Sequence, residues 1–145
     1  MDNCYDSMGR WISVLYRQFQ VYINKELREL NINSSEYIYI VTLFSDHDGM
    51  SQDELSKKLF IDKGAVARSI NSLEKKNYVS RRIDKLDKRI KRVYLTEKAK
   101  EVEDILFKAL DKWNDIITVN IDQSSINTTI KTLQKMSMEA LKKGF

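Results

Sequence analysis

One segment of the chain, residues 78–95, departs from the helical periodicity that governs the rest of the sequence. Tyr78 to Ile83 and Lys91 to Leu95 are rich in β-branched and aromatic residues, and a polar stretch separates them. This pattern predicts a β-hairpin with a long charged loop. The chain has no proline and only four glycines, which favours helices on both sides of the hairpin. The sequence therefore predicts a mainly α protein with one small β-hairpin.

Capping signals divide the region before the hairpin into short helices. Residues 33–36 and 51–54 both have the spacing of a capping box, in which side chains at the two ends satisfy free backbone amides. Asp62 is expected to start a further helix, from Lys63 to about Lys76, and Asn77 to end it in the left-handed conformation. The apolar face of that helix is predicted to consist of Val66, Ile70 and Leu73.

A longer amphipathic helix is predicted before these short helices, and two more are predicted after the hairpin. Over residues 8–30 apolar side chains recur every three or four positions, at Met8, Ile12, Leu15, Phe19, Tyr22 and Leu30. Further apolar residues lie off this stripe, so the helix needs cover on more than one side. Thr96 is expected to start a helix that reaches about residue 117, and the last helix follows residues 122–125. A second copy of the chain would cover the surplus apolar surface.

The basic residues are concentrated in the middle of the chain. Residues 51–100 contain 15 Lys and Arg against 7 Asp and Glu, a local net charge of +8. The other 95 residues contain 10 against 14, a net charge of −4. Such a distribution suggests a face built for a polyanion, although a solvated charged surface is an equally good interpretation of charge alone.

Two short helices joined by residues 60–62 and followed by a basic hairpin have the order and polarity of a winged helix-turn-helix. Opposite its apolar face the second helix presents small or hydrogen-bonding side chains: Gly64, Arg68, Asn71, Ser72 and Lys75. The guanidinium of Arg68 has the shape to bind guanine through two hydrogen bonds. The alternative interpretation is an ordinary amphipathic helix with a solvated polar face.

The hairpin loop favours the nucleic-acid interpretation. The segment from Lys75 to Arg92, both ends included, contains nine basic and only two acidic residues. Cations on a projecting loop suit a narrow minor groove, where the negative potential of DNA is enhanced. Asp87 and Arg89 are two residues apart, so they are able to pair across the tip and hold its shape.

These segments resemble the MarR family of multiple antibiotic resistance regulators over essentially the whole chain. Residues 87–96 resemble the D-x-R-x5-L-T signature of the family's wing. Residues 51–56 and 62–68 resemble its helix-turn-helix, and residues 73–79 resemble the segment that enters the wing. Asn77 replaces the usual glycine there, a mild departure because Asn tolerates a positive φ.

The resemblance implies a winged helix-turn-helix with N- and C-terminal dimerisation helices. The helix from Lys63 to Lys76 would enter the major groove, with Lys63, Ala65 and Arg68 nearest the bases. Lys88 and Arg89 would reach the minor groove. Together with the exposed face of the helix, the predicted DNA contacts are Ser51, Lys63, Gly64, Ala65, Arg68, Ser69, Asn71, Ser72, Lys75, Asp87, Lys88, Arg89 and Lys91.

The implied organisation is a homodimer of one unit, residues 1–145, on a palindromic double-stranded DNA operator. Residues 8–30 and 97–143 would form the dimer interface, and residues 34–96 the DNA-binding lobe. The expected function is a sequence-specific transcriptional repressor that a small, often aromatic effector releases. The alternative is a winged helix that binds DNA non-specifically in an architectural role, or that binds other proteins.

The resemblance also implies positions for an effector pocket. Arg17 and Tyr37 align with residues that line such a pocket in some relatives, and Trp11 and Tyr16 are expected neighbours; packing in the core or interface is the alternative role for all four. Redox-sensing relatives carry a reactive cysteine inside the first helix. Cys4 lies about five residues before that position, so we expect no peroxide sensing.

Enzymatic, metal-binding and membrane functions are not expected. The single histidine and single cysteine offer no nucleophile–base pair, phosphate loop or thiolate metal site, and no cofactor is predicted. The chain contains no run of about 18 apolar residues, as a membrane span requires. Its first ten residues include two acids and lack the apolar core of a signal peptide, so we expect a cytoplasmic protein.

Overall fold

The computed structural model of the protein describes residues 7–145, and Cys4, for which the sequence predicted no sensing role, lies outside them. The chain divides into two compact units, one ending at Leu110 and the other spanning Asp111–Phe145. The helices are α1 (Met8–Glu26), a 3-10 helix (Arg28–Leu30), α2 (Tyr37–Ser45), α3 (Gln52–Leu59), α4 (Lys63–Lys75), α5 (Glu97–Glu101), α6 (Glu103–Ile117) and α7 (Gln123–Lys143). The strands are β1 (Met50–Ser51), β2 (Val79–Ile83) and β3 (Lys91–Leu95).

The predicted hairpin is confirmed, and it belongs to a three-stranded antiparallel sheet with the order β1-β3-β2. Strand β2 pairs with β3 from Val79 opposite Leu95 to Ile83 opposite Lys91. We call β2, β3 and the loop 84–90 between them the wing. The sequence did not predict β1, because two residues are too few to show the alternation of a strand.

The helix-start signals before α3 and α4 are confirmed. The Ser51 hydroxyl accepts a hydrogen bond from the Glu54 amide at 3.0 Å, and the Glu54 carboxylate accepts one from the Ser51 amide at 2.8 Å. The Asp62 carboxylate accepts a hydrogen bond from the Ala65 amide at 2.9 Å. Asn77 follows α4 with a φ of 65°, which is the left-handed conformation predicted for it.

The prediction of one helix over residues 8–30 is wrong at its C-terminal end. Helix α1 ends at Glu26, and Leu27 leads into the 3-10 helix, which a left-handed Asn31 closes. This tighter turn allows both Leu27 and Ile32 to enter the core. The apolar spacing of three and four residues could not reveal this turn. Leu30 fits that spacing whether the helix continues to residue 30 or ends earlier and a 3-10 helix follows.

Two other helix boundaries also differ from the prediction. Helix α2 begins at Tyr37, after the predicted start, although the Glu36 carboxylate does accept a hydrogen bond from the Asn33 amide at 3.1 Å. The single helix expected after Thr96 is divided into α5 and α6 at Val102. The predicted cap is present, since the Thr96 hydroxyl accepts a hydrogen bond from the Ala99 amide at 3.2 Å.

The core of the first unit lies between α2, α3, α4, the sheet, the C-terminal end of α1 and the N-terminal end of α6. Its fully buried side chains include Ile23, Leu27, Ile40, Leu55, Val66, Ile70, Leu73, Val93 and Leu106. The three α4 residues in this set confirm the predicted apolar face. Burying each such side chain stabilises the fold by about 1.5–3 kcal/mol. The core therefore fixes which face of α4 remains available to solvent.

The second unit consists of the end of α6 and the whole of α7. The Asp122 carboxylate starts α7 by accepting a hydrogen bond from the Ser125 amide at 3.0 Å. Its large apolar side chains are mostly exposed, among them Ile130, Leu133 and Leu141. Within residues 7–145, no helix has the length and apolar character needed to cross a membrane.

Candidate nucleic-acid interface

Helix α4 is attached to the start of α2 by a buried carboxylate. Glu36 is only 2% exposed. Both of its oxygens accept hydrogen bonds from Lys76 Nζ at 2.9 Å, and Oε1 accepts one from the Ser72 hydroxyl at 2.5 Å. Ser72, which the helical pattern assigned to the exposed face, is therefore half-buried. This contact holds the C-terminal half of α4 in a fixed rotation about its axis.

The remaining polar face of α4 is available to a ligand. Lys63, Gly64, Arg68, Asn71 and Lys75 are exposed, whereas Ala65 and Ser69 are half-buried. A Cβ atom added at Gly64 would lie 3.2 Å from Arg68 Nη1, so the guanidinium folds back over this glycine. The missing side chain thus leaves room for the guanidinium beside the N-terminal end of the helix.

Two predicted contact residues on α4 carry interactions of their own. Lys63 Nζ lies 2.7 Å from the Asp53 carboxylate, which Lys57 also approaches to 3.1 Å. The hydrogen bonds from Lys63 and then Lys57 lower the pKa of Asp53. The Asn71 side-chain oxygen accepts a hydrogen bond from Arg81 Nη2 at 3.1 Å. α4 is therefore linked by side chains to both α3 and the wing.

The tip of the wing is held by the pair that its sequence suggested. Arg89 Nη2 lies 2.9 Å and Nε 3.1 Å from the two oxygens of Asp87, whose Oδ1 also accepts a hydrogen bond from the Arg89 amide. These hydrogen bonds lower the pKa of Asp87. The Arg89 side chain remains 90% exposed, so the pair leaves its outer surface free for contact. Lys88 and Lys91 are exposed beside it.

Ser51 differs from the other predicted contact residues because it is buried. Its hydroxyl is occupied by the cap of α3, and its amide by Glu54. An open cavity of about 220 Å³ adjoins it, lined by Ser51, Gln52, Asp53, Lys63, Arg89, Ile90 and Lys91. The fold thus brings α3, the start of α4 and the wing tip to one surface, where Ser51 caps a helix and Asp53, Lys63, Arg89 and Lys91 carry the charges.

Two arginines that stabilise the wing were not among the site residues predicted from the sequence. Arg81 is bound by Glu74 through its amide and guanidinium, at 2.9 Å in each case. Arg82 stacks over the Tyr94 ring, with 4.5 Å from its guanidinium carbon to the ring centroid. The alternation of β2 could have indicated that these neighbouring arginines point to opposite faces, but not what each one meets.

The root of the wing carries a further arrangement that the sequence did not reveal. Arg92 Nε donates a hydrogen bond to Asp84 Oδ2 at 2.6 Å, and Arg92 Nη1 donates one to the Gly49 carbonyl at 3.1 Å. Asp84 Oδ1 accepts hydrogen bonds from the Leu86 and Asp87 amides. The hydrogen bond from Arg92, and then those from the two amides, lower the pKa of Asp84 to about 2.

The four residues predicted to line an effector pocket differ in their surroundings. Tyr37 is half-buried and packs edge-on against Phe19, with 5.5 Å between ring centroids. Burial, and after it the nearby Tyr16, raise the pKa of Tyr37 to about 12. Trp11, Tyr16 and Arg17 are exposed, and Arg17 Nη1 donates a hydrogen bond to Ser13. The effector pocket stays a prediction.

The fold and the interface define a winged helix-turn-helix protein, and comparison with known proteins identifies its family. A model of the MarR family matches residues 32–91. A MarR transcriptional regulator from Methanosarcina mazei Go1 is 36% identical, with a TM-score of 0.84, over 93% of this chain and 96% of that chain. The chain belongs to the MarR family of transcriptional regulators, which confirms the resemblance and the predicted fold class.

Two other relatives extend this comparison. A MarR family transcriptional regulator from Listeria monocytogenes, complexed with 26mer DNA, is 25% identical with a TM-score of 0.85, and the match covers 96% of each chain. The uncharacterized HTH-type transcriptional regulator YybA of Bacillus subtilis is 29% identical over 97 residues, or 67% of this chain. That match spans 64% of the length of YybA, which is less than two thirds.

Proposed function

We propose that the chain binds a palindromic double-stranded DNA operator sequence-specifically and represses transcription there. The observation that carries the proposal is the exposed polar face of α4, which lies opposite three fully buried apolar side chains and next to a basic wing. The relative that is complexed with 26mer DNA has the same fold and supports the proposal. In this arrangement α4 enters the major groove and the wing tip reaches the minor groove.

The charge distribution suggests that most basic residues contact phosphates and that few residues contact bases. The net charge of +8 over residues 51–100 favours the phosphate backbone and makes affinity depend on salt. Phosphate contacts alone carry no sequence information, which base edges must supply. Arg68 is the strongest candidate for a base contact because its guanidinium is exposed on the face of α4 that would enter the groove.

We infer a homodimer from apolar side chains that are exposed in each unit. On α1 these are Met8, Ile12 and Leu15, and in the unit from Asp111 they include Ile130, Leu133 and Leu141. Large exposed apolar patches are typical of interaction surfaces. A two-fold dimer would present two α4 helices to half-sites about one helical turn apart. Light scattering should give twice 17.1 kDa, and a mass near 17.1 kDa at micromolar concentration would contradict the dimer.

Release of the operator by a small aromatic effector belongs to the same proposal. Its support is the half-buried hydroxyl-bearing ring of Tyr37, which has Tyr16 close enough to affect its pKa. A panel of small phenols should weaken operator binding in the native chain and less so in Tyr37→Phe. A cytoplasmic location is proposed as well, because the operator DNA is there.

Selection of bound duplexes from a random pool tests the central claim. We expect a palindrome, bound more tightly than a scrambled duplex of the same length at every salt concentration. A winged helix with an architectural role would instead enrich no common sequence, and it would bind both duplexes with the same affinity and the same salt dependence. That result would contradict the proposed function.

A further inference from the structure

Arg92 connects parts of the fold that are distant in sequence. It is a half-buried residue of β3, and it lies directly opposite Arg82 of β2. Its guanidinium donates hydrogen bonds to Asp84, at the start of the wing loop, and to the Gly49 carbonyl, which precedes β1. Arg92 Nη1 also lies 3.7 Å from the Glu54 carboxylate in the capping box of α3. One side chain thus joins the wing to the first helix of the helix-turn-helix.

The Asp84 end of this connection shapes the loop that carries the tip. Asp84 Oδ1 accepts hydrogen bonds from the Leu86 amide at 2.8 Å and from the Asp87 amide at 3.0 Å, while Oδ2 is left to Arg92. The Asp84 amide donates a hydrogen bond to the Ile90 carbonyl at 2.9 Å, which closes the loop at its base. Asp87 in turn holds Arg89. The contacts therefore run without interruption from α3 to the basic tip.

We propose that Arg92 is a positioning residue that sets the angle of the wing against the helix-turn-helix, so that the tip meets the minor groove while α4 occupies the major groove. This inference rests on the proposed DNA-binding function. Arg92 itself is poorly suited to a phosphate contact, because its side chain is only 30% exposed and its Nε and Nη1 already donate to protein acceptors. Arg89 at the tip is, by contrast, 90% exposed.

Salt titrations of operator binding distinguish positioning from direct contact. Arg92→Ala should weaken binding to the selected operator about tenfold, which is the scale of losing one hydrogen bond to a charged group. In an Arg89→Ala background, where the tip arginine no longer contributes, Arg92→Ala should leave the slope of log affinity against log salt unchanged, because no phosphate contact is removed. A direct phosphate contact would lower that slope by about 1 and would overturn the proposal.

A mutant cycle with the wing tip tests whether Arg92 acts through Arg89. If it does, Arg92→Ala should cost much less affinity in an Arg89→Ala background than in the native chain. A loss of general stability would instead weaken binding equally in both backgrounds. Additive losses would therefore overturn the proposal.

Two further variants keep the test decisive. Arg82→Ala removes the same charge from the register partner of Arg92 without touching Asp84, so equal effects of both substitutions on affinity and slope would favour a simple charge effect and overturn positioning. If Arg92→Ala does not fold, Asp84→Asn removes the charged acceptor of Arg92 and keeps an oxygen for the two loop amides. Asp84→Asn should then show the same coupling to Arg89.

The failure of this inference differs from the failure of the proposed function. A native chain that binds every duplex equally contradicts sequence-specific regulation. A native chain that selects a palindrome, together with an Arg92→Ala variant of full affinity, leaves the regulator intact and overturns the role of Arg92.

Discussion

The α4 helix and the wing are two parts of the proposed DNA interface, but different forces hold them. Helix α4 has Val66, Ile70 and Leu73 fully buried beneath it and is fixed in rotation by a carboxylate that is 2% exposed. In the wing loop, every residue from 84 to 90 is exposed or half-buried. Its shape depends instead on side-chain carboxylates that accept hydrogen bonds from backbone amides and arginines.

This difference predicts different sensitivities for the two parts. Apolar burial responds weakly to salt and to pH, whereas exposed ion pairs are screened by salt and vanish when their carboxylates are protonated. We therefore expect α4 to keep its geometry over a wide range of conditions and the wing to lose its geometry first. Substitutions in the two parts should separate these behaviours.

The largest effect is expected from Glu36, which holds α4 by its charge as well as by its burial. Glu36→Ala leaves Lys76 without its carboxylate and Ser72 without its acceptor, and it should cost about 3 kcal/mol of unfolding free energy. Urea denaturation followed by circular dichroism measures this loss. Asp87→Asn at the wing tip is the control, because it removes a carboxylate that is half-buried and reached by solvent, and it should lower the unfolding free energy far less. Equal losses would contradict the contrast between the two parts.

Arg68→Lys should produce the next largest effect, and this effect concerns specificity rather than stability. Lysine keeps the charge but lacks the planar fork that matches guanine. A bidentate contact discriminates between bases by about 1–3 kcal/mol. The substitution should therefore weaken binding to the selected palindrome and leave binding to a scrambled duplex, with its salt slope, nearly unchanged. If both duplexes lose affinity equally, Arg68 contacts phosphate and another residue reads the sequence.

The features that sequence alone predicted are those encoded within a few residues. The caps at Ser51 and Asp62, the left-handed Asn77 and the buried face of α4 each depend on spacings of one to four positions, and all are present. The Asp87–Arg89 pair belongs to the same group, because its partners are two residues apart. Local geometry determines such features before the chain folds.

The features that were missed depend on contacts between distant segments. Glu36 meets Lys76 across 40 positions, and Arg92 meets the Gly49 carbonyl across 43. In each case the sequence offers a charged residue with several possible partners, and only the packed core decides which partner lies close. The 3-10 turn after α1 was missed for the same reason, since the burial of Leu27 and Ile32 determines where that helix ends.

A smaller effect is expected at the wing tip, where two substitutions separate contact from shape. Arg89→Ala should lower operator affinity without changing the unfolding midpoint, because its side chain is 90% exposed. Asp87→Asn weakens the tip pair but also removes a negative charge that would lie near phosphate in the proposed complex. If Asp87→Asn leaves affinity unchanged or better, Arg89 acts mainly by touching the groove. Equal losses in the two variants would instead assign Arg89 to the geometry of the wing.

The smallest effect concerns the protonation of Asp84. The pKa of this carboxyl group reports directly on its hydrogen bond with Arg92. Its pKa of about 2 lies below its ordinary value of 3.8 because Arg92 and two loop amides bind the carboxylate. The stabilisation of the wing by the ionised Asp84 is therefore complete above pH 3.8 and is lost as the pH falls through 2. The geometry of the wing should consequently not change between pH 8 and 5. An NMR titration of the Asp84 carboxyl carbon should have its midpoint near 2 in the native chain. In Arg92→Ala the midpoint should rise toward 3.8 without reaching it, because the amides of Leu86 and Asp87 remain. A midpoint that does not move would mean that Arg92 and Asp84 are not paired in solution.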